Sequence, residues 1–210
     1  MSELRSILTL APVIPVLVVE QIEQARKLGQ ALVDGGLPVL EVTLRSDAAL
    51  AAIEEMASIP GAVVGAGTVL SAQDVSQAKR AGARFAVSPG ATDSLLDAVE
   101  EAELPLLPGA ATASEVMFLL ERGFEIQKFF PAEAAGGVSM LKSFSGPLPQ
   151  VSFCPTGGVN PHNVADYLAL SNVICVGGTW VADPQSVQAQ DWAGIESSAR
   201  AAAALPVFDV

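Results

Sequence analysis

Two charged side chains occupy positions where a folded chain seldom places them, and their chemistries are complementary. Lys128 lies inside the apolar, β-prone run Glu125-Ile126-Gln127-Lys128-Phe129-Phe130-Pro131. On a strand alternate residues share a face, so Ile126, Lys128 and Phe130 are expected on one side and Gln127 and Phe129 on the other. A lysine so placed either stretches its amine to water or carries a lowered pKa, and the neutral amine is a nucleophile suited to attacking a ketone and forming a Schiff base. Taken alone, it reads as a strand-end lysine reaching solvent. Glu41, in Val39-Leu40-Glu41-Val42-Thr43-Leu44-Arg45, shares a face with Val39, Thr43 and Arg45. A carboxylate inside a buried strand is costly unless it is paired or functional. It is therefore either an ion-pair partner of Arg45 or Lys128, or a general acid/base held beside the lysine.

A third signal is the pair of segments Thr156-Gly157-Gly158 and Gly177-Gly178-Thr179. Glycine lets a backbone approach an anion closely, and hydroxyls and helix N-termini add donors without a cation. One Gly-Gly turn reads as conformational; two after successive strands read as phosphate binding. The composition fits such a site. Four lysines (Lys27, Lys79, Lys128, Lys142) and seven arginines leave a net charge of −12, so an anionic ligand must be held largely by backbone N–H groups. The same charge argues against nucleic acid and anionic membranes as partners.

The elements that must position these residues follow from the hydrophobic pattern. Short apolar runs at Val13–Val19, Val39–Leu44, Ala62–Ala66, Arg84–Val87, Leu104–Leu107, Glu125–Pro131, Val151–Cys154 and Val173–Val176 read as strands. Helical spacing fills the intervals, with Asp47, Ser71 and Thr92 or Asp93 as caps and Gly35-Gly36, Gly82 and Gly123 as stops. Met1–Leu10 reads as a short lead into the first strand and not as a signal peptide. Eight strands alternating with helices imply a parallel sheet, and the expected fold is an α/β (β/α)8 TIM barrel forming one domain over residues 1–210. An open doubly wound sheet is the rival, and Gly65-Ala66-Gly67-Thr68-Val69-Leu70 lacks the third glycine of a dinucleotide fingerprint.

In such a barrel the active site lies at the carboxyl ends of the strands. Those positions hold Glu41, Thr43 and Arg45, then Thr68, Ser88-Pro89, Pro108, Lys128 with Phe130, and the two glycine segments. His162 reads as a capping or surface residue, Glu133 as a loop or helix entrance and Lys142 as solvated. No His/Asp/Glu set has ligand spacing, so neither a metal nor another cofactor is expected. No apolar run reaches the roughly 18–20 residues of a membrane span, and Cys154 and Cys175 lie inside apolar runs, as in a reduced cytoplasmic protein.

The blocks Glu41-Val42-Thr43-Leu44-Arg45, Gly65-Ala66-Gly67-Thr68-Val69, Ser88-Pro89-Gly90, Lys128-Phe129-Phe130-Pro131-Ala132-Glu133, Cys154-Pro155-Thr156-Gly157-Gly158-Val159 and Gly177-Gly178-Thr179-Trp180 together resemble the bacterial 2-keto-3-deoxy-6-phosphogluconate (KDPG) aldolases. They recur in that family's order and spacing over nearly the whole chain. The resemblance implies a metal-independent class I aldolase, usually a homotrimer, cleaving KDPG to pyruvate and glyceraldehyde 3-phosphate in the Entner–Doudoroff pathway. It makes Lys128 the Schiff-base lysine and Glu41 the acid/base. Arg45 and Thr68 would hold the pyruvate carboxylate, with Pro89 and Phe130 shaping the pocket. Thr156, Gly157, Gly158, Gly178 and Thr179 would take the distal, phosphorylated end. Thr179 stands where the family commonly has serine, which keeps the hydroxyl and adds a methyl. Alternatives are an aldolase for the galactonate analogue or for 4-hydroxy-2-oxoglutarate, a phosphosugar isomerase or epimerase, and a non-catalytic phosphate-binding barrel.

Overall fold

The structure, a computed structural model, describes residues 2–206; Met1 and residues 207–210 lie outside it. After α1 (Glu3–Leu8) the chain runs β1 (Val13–Leu17), α2 (Ile22–Asp34), β2 (Val39–Thr43), α3 (Ala49–Ala57), β3 (Val63–Gly67), α4 (Ala72–Arg80), β4 (Phe85–Val87) and α5 (Asp93–Glu101). Then follow β5 (Leu106–Leu107), β6 (Gly109–Ala110), α6 (Ala113–Glu121), β7 (Ile126–Phe129), α7 (Gly137–Phe144), β8 (Ser152–Pro155), α8 (Val164–Leu168) and β9 (Val176–Gly178). A 3-10 turn (Trp180–Ala182), α9 (Pro184–Gln188) and α10 (Trp192–Ala203) complete it.

Four local expectations change. The N-terminal lead is a helix: Ser2 accepts from Arg5 N–H as its cap, and Leu4, Ile7 and Leu8 fall on one buried face. The fifth expected strand is interrupted at Pro108, which has no N–H to give the ladder, so β5 and β6 flank it. Helix α3 starts at Ala49 without a side-chain cap, so Asp47 does not cap it. The last strand lies further on than 173–176, with Val173 held by a single bridge to Phe153. The caps at Ser71 and Thr92 are formed, and Thr112 with Glu115 makes a capping box on α6.

All pairings are parallel. One sheet has the order β5-β4-β3-β2-β1-β9 and a second β6-β7-β8. Lys128 N–H donates to Pro108 C=O at 2.8 Å, and single bridges join Phe153 to Val173 and Thr156 to Gly177. The strands form a curled sheet whose two faces are both apolar, as parallel strands covered by helices must be. One face carries Ile14, Val39, Phe85, Val87, Leu107, Ile126, Cys154 and Ile174, packed with Leu4, Ile7 and Leu8 of α1. The other carries Leu40, Val42, Val64, Ala66, Phe129 and Phe153, packed on helix residues such as Leu28, Leu32, Ile53 and Val75. Phe129, Phe144 and Phe153 meet there at ring separations of 5.9–6.3 Å.

Helix α1 sits at the amino ends of the strands. Arg5 donates to Ser152 Oγ at the start of β8 (3.0 Å), and Glu3 pairs with Arg84 just before β4. Burying its three apolar side chains contributes roughly 1.5–3 kcal/mol each. That closure leaves the carboxyl ends of the strands as the open face.

Candidate active site

At the carboxyl ends lies a cleft of about 480 Å3, and every residue to which the family resemblance gives a role lines it, whereas Ser88 and Pro108 do not. Strand β2 and its exit bring Glu41 and Arg45; the exits of β3 and β4 bring Thr68 and Pro89. Lys128 and Phe130 come from β7 and its exit, Thr156, Gly157 and Gly158 from the exit of β8, and Gly178 and Thr179 from β9 and its exit. Thr43, Val16, Val159 and Gly177 complete the wall. Thr43 turns its hydroxyl to Leu17 C=O (2.9 Å), a bond that ties β2 to β1. His162 and Lys142 are exposed and outside the cleft wall.

Strand alternation places Lys128 as expected. Gln127 points to the helix side, where its amide donates to Val116 C=O and Phe124 C=O, and Phe129 enters the aromatic cluster on that side. Lys128 faces the other way, and its side chain is 7% exposed, so it does not reach solvent as a strand-end lysine would. Its Nζ lies 3.2 Å from Glu41 Oε1 and 5.3 Å from the centre of the Phe130 ring. The Glu41 side chain is 4% exposed. Arg45 is exposed, so the buried carboxylate is partnered by the lysine and not by the arginine. Two buried polar groups at this separation satisfy each other, and removing either one leaves the other without its partner.

Space for the carboxylate comes from glycine. In the β2–β3 register Thr43 is opposite Gly67 and Glu41 opposite Gly65. A methyl group added at Gly67 would lie 2.7 Å from Glu41 Cγ and closer still to its Oε1; one at Gly65 would enter the Phe85 ring. The two glycines that fail to make a nucleotide fingerprint are thus receptacles for neighbouring side chains. Gly67→Ala is expected to fold, because a carboxylate tip can swing aside, but to lose about 10–100-fold in turnover through misplacement of that group. Circular dichroism melting beside a rate assay checks this, and an unchanged rate would show that the position of Glu41 does not matter. The next residue, Thr68, has φ +58°. A β-branched residue in the left-handed region is a genuine outlier, and such strain concentrates at functional sites.

The glycine segments differ from each other. Gly157 and Gly158 have φ +100° and +83°, conformations that L side chains rarely adopt. Gly177 and Gly178 need no such freedom: they make room for the Thr156 side chain and the Trp180 ring. The carbonyls of the first segment are all engaged. Thr156 C=O accepts from Ala132 N–H (2.8 Å), Gly157 C=O from Glu133 N–H (3.0 Å), and Gly158 C=O from the amides of Asn160 and Asn163 (2.9 and 3.1 Å). The Gly157 N–H points toward Gly177 across a single bridge, and the Gly158 and Thr179 N–H groups have no backbone acceptor among the described residues. Thr156 Oγ1 and Ser88 Oγ are buried without a partner.

Below the pair, Cys154 is the cross-strand neighbour of Lys128, and both thiols are free and buried. The adjoining Cys154 thiol and burial push the Cys175 thiol well above its ordinary range, which keeps it protonated and unreactive.

Sequence reasoning overlooked the roles of Gly67, Gly177, Val16 and Val159. A glycine inside a strand is a known sign of close approach, but which side chain approaches depends on register. The apolar liners carry no chemical signal.

Comparison with known proteins gives the site its context. The family model described as "KDPG and KHG aldolase" matches residues 4–198. The chain is 50% identical over 198 residues to the KHG/KDPG aldolase of Escherichia coli K12, covering 94% of this chain and 93% of that protein. It is 51% identical over 181 residues to the 2-dehydro-3-deoxy-phosphogluconate aldolase of Zymomonas mobilis, covering 86% and 87%. Among solved structures, the Zymomonas mobilis ZM4 KDPG aldolase with 3-phosphoglycerate superposes with a TM-score of 0.95 at 47% identity over 99% of this chain and 98% of the other. The Legionella pneumophila KDPG aldolase, with pyruvate captured as a covalent carbinolamine intermediate, gives 0.94 at 45% identity over 97% and 99%. Likeness of this extent, over almost the full length of both partners, means that the chain belongs to the KDPG and KHG aldolase family.

Proposed function

We propose that this chain is a metal-independent class I aldolase that reversibly cleaves 2-dehydro-3-deoxy-6-phosphogluconate to pyruvate and D-glyceraldehyde 3-phosphate. The observation that carries the reading is the buried Lys128–Glu41 pair, 3.2 Å apart, within a cleft that also contains the Gly157-Gly158 segment. Lys128, as the free amine, attacks C2 of the substrate to give a carbinolamine. Loss of water leaves an iminium, an electron sink for the next step. Glu41 takes the C4 hydroxyl proton, the C3–C4 bond breaks, its electrons flow to the iminium to form an enamine, and glyceraldehyde 3-phosphate leaves. The Glu41 carboxyl then returns a proton to C3, and water hydrolyses the imine to pyruvate and free Lys128. Arg45 and Thr68 hold the keto-acid carboxylate, Pro89 and Phe130 form the walls, and Thr156, Gly157, Gly158, Gly178 and Thr179 receive the phosphate.

The reading includes one domain over residues 1–210 built as an eight-stranded barrel. Its support is the continuity of β5 and β6 across Pro108, where Pro108 C=O still accepts from Lys128 N–H, and the bridges from β8 to the β9 segment. It also includes a homotrimer acting in the cytoplasm. Among the described residues no helix is long and apolar enough to cross a membrane; sedimentation tests the trimer.

A second substrate is favoured by the name KHG/KDPG that the Escherichia coli relative carries. The galactonate analogue differs from KDPG in configuration at C4, the carbon whose hydroxyl Glu41 deprotonates in this mechanism. The direct test is coupled detection of pyruvate from KDPG, with and without EDTA, beside 4-hydroxy-2-oxoglutarate and the galactonate analogue. Turnover of KDPG unaffected by EDTA is expected. No pyruvate from KDPG would remove the assignment, and loss with EDTA would remove metal independence. Faster turnover of the unphosphorylated acid would reassign the glycine loop.

A further inference from the structure

The residues that follow Phe130 do not enter the cleft wall, yet they are joined to the loop that does. After the cis Phe130–Pro131 peptide, Ala132 and Glu133 donate their N–H groups to Thr156 C=O and Gly157 C=O. A carbonyl and the N–H of the next residue belong to one planar trans unit and point opposite ways. Holding these two carbonyls therefore turns the Gly157 and Gly158 N–H groups away from the Ala132-Glu133 segment. The Glu133 side chain continues the contact. Its Cβ and Cγ fill the space where a side chain at Gly158 would stand, at 2.7 and 2.5 Å from an added methyl. Its Oε1 accepts a short hydrogen bond from Tyr167 on α8.

Tyr167 is the only tyrosine in the chain, its residue is fully buried, and it lies beyond the loop that Gly157 and Gly158 begin. Burial and the Glu133 carboxylate push its phenol well above its ordinary range, so it stays a donor. Gly137 opens α7 against both groups, within 3.2 Å of Glu133 Oε1 and 3.3 Å of the Tyr167 hydroxyl for an added methyl. The bond thus closes a bracket around residues 156–163, with the exit of β7 on one side and α8 on the other. The carboxylate is used as an acceptor only, which explains an acidic residue beside a loop read as binding an anion.

We infer that Glu133 and Tyr167 are positioning residues: their hydrogen bond fixes the Gly157-Gly158 loop so that its N–H groups are set for a phosphate. This rests on the proposed function, in which that loop takes the distal end of the substrate. It separates the two ends of the substrate, because among the described residues neither side chain is hydrogen-bonded or ion-paired to Lys128 or Glu41.

The test measures affinity for 3-phosphoglycerate by calorimetry and, separately, the rate of borohydride trapping of pyruvate on Lys128, in the full chain. Tyr167→Phe and Glu133→Ala are expected to weaken 3-phosphoglycerate about tenfold and to leave pyruvate trapping within twofold of the parent. Glu133→Gln, which can still accept from the phenol, is expected to bind within about threefold of the parent. Unchanged affinity in Tyr167→Phe and Glu133→Ala overturns the inference. So does a parallel fall in trapping, which marks a general loss of structure, or failure of the parent to bind 3-phosphoglycerate. A parent that binds the phosphate ester tightly but traps no pyruvate removes the aldolase reading instead, and the tenfold comparison still decides the role of the pair.

Discussion

Replacing Lys128 by methionine is expected to abolish imine formation and to reduce aldol cleavage by at least about 10^3–10^5-fold, the range associated with removing a covalent nucleophile. Methionine is close to lysine in length and apolar, so packing against Phe130 changes little while the amine is lost. Borohydride reduction with pyruvate, followed by mass analysis of peptides, should find the adduct on Lys128 in the parent and none in the variant. An adduct on another lysine would transfer the role. A second readout is stability. The Glu41 side chain is 4% exposed and its cationic partner lies 3.2 Å away. Without that partner the stranded carboxylate should destabilise the fold by about 3–5 kcal/mol at neutral pH. Adding Glu41→Leu to Lys128→Met should restore much of the loss, since an apolar pair leaves no buried charge behind. Failure to recover would show that the cost arises elsewhere.

Glu41→Gln is expected to keep the adduct and lose turnover. Glutamine is nearly isosteric, retains an oxygen within reach of Lys128 and can neither remove nor return a proton. Loss of a positioned general acid/base corresponds to about 10^2–10^4-fold in rate. The reprotonation half of the cycle can be isolated, because exchange of the pyruvate methyl protons in deuterated water requires the enamine but no aldehyde. Exchange and cleavage should slow together in Glu41→Gln while borohydride still traps pyruvate on Lys128. Exchange at the parent rate would assign reprotonation to another group, and near-normal cleavage would remove Glu41 from the mechanism altogether.

The two variants separate what Lys128 and Glu41 do as chemistry from what they do as a buried ion pair. The sequence alone left both descriptions open for Glu41. The geometry leaves them compatible: the carboxylate paired with Lys128 lies 3.2 Å from its nitrogen, beside the place the proposed reaction requires of an acid/base.

Parts of the fold were legible for local reasons. Alternation along Glu125–Pro131 depends only on the two-residue period of a strand, so the opposite facing of Lys128 and Gln127 could be read directly. The caps at Ser71 and Thr92 are decided within four residues. Helix α1 was missed because its apolar face has only three members, Leu4, Ile7 and Leu8, and is stabilised by strands distant in sequence. The break at Pro108 was missed because a proline between two apolar pairs resembles the end of a strand as closely as an interruption within one.

By itself the sequence determined which residue types were available and which strand ends would carry them: an amine and a carboxylate in apolar strands, hydroxyls and glycines at later strand exits, and few cations. Only the tertiary structure decided the partnerships. Lys128 and Glu41 are 87 residues apart, and their pairing depends on the curl of a sheet in which β2 and β7 are not neighbours. It likewise decided that Gly67 holds space for Glu41, that Gly177 and Gly178 admit Thr156 and Trp180, and that Glu133 reaches Tyr167. Periodicity is a property of a short run of backbone and can be read along the chain. Register and curl are set by packing between distant elements, so the neighbour of a buried group is known only when the sheet is assembled.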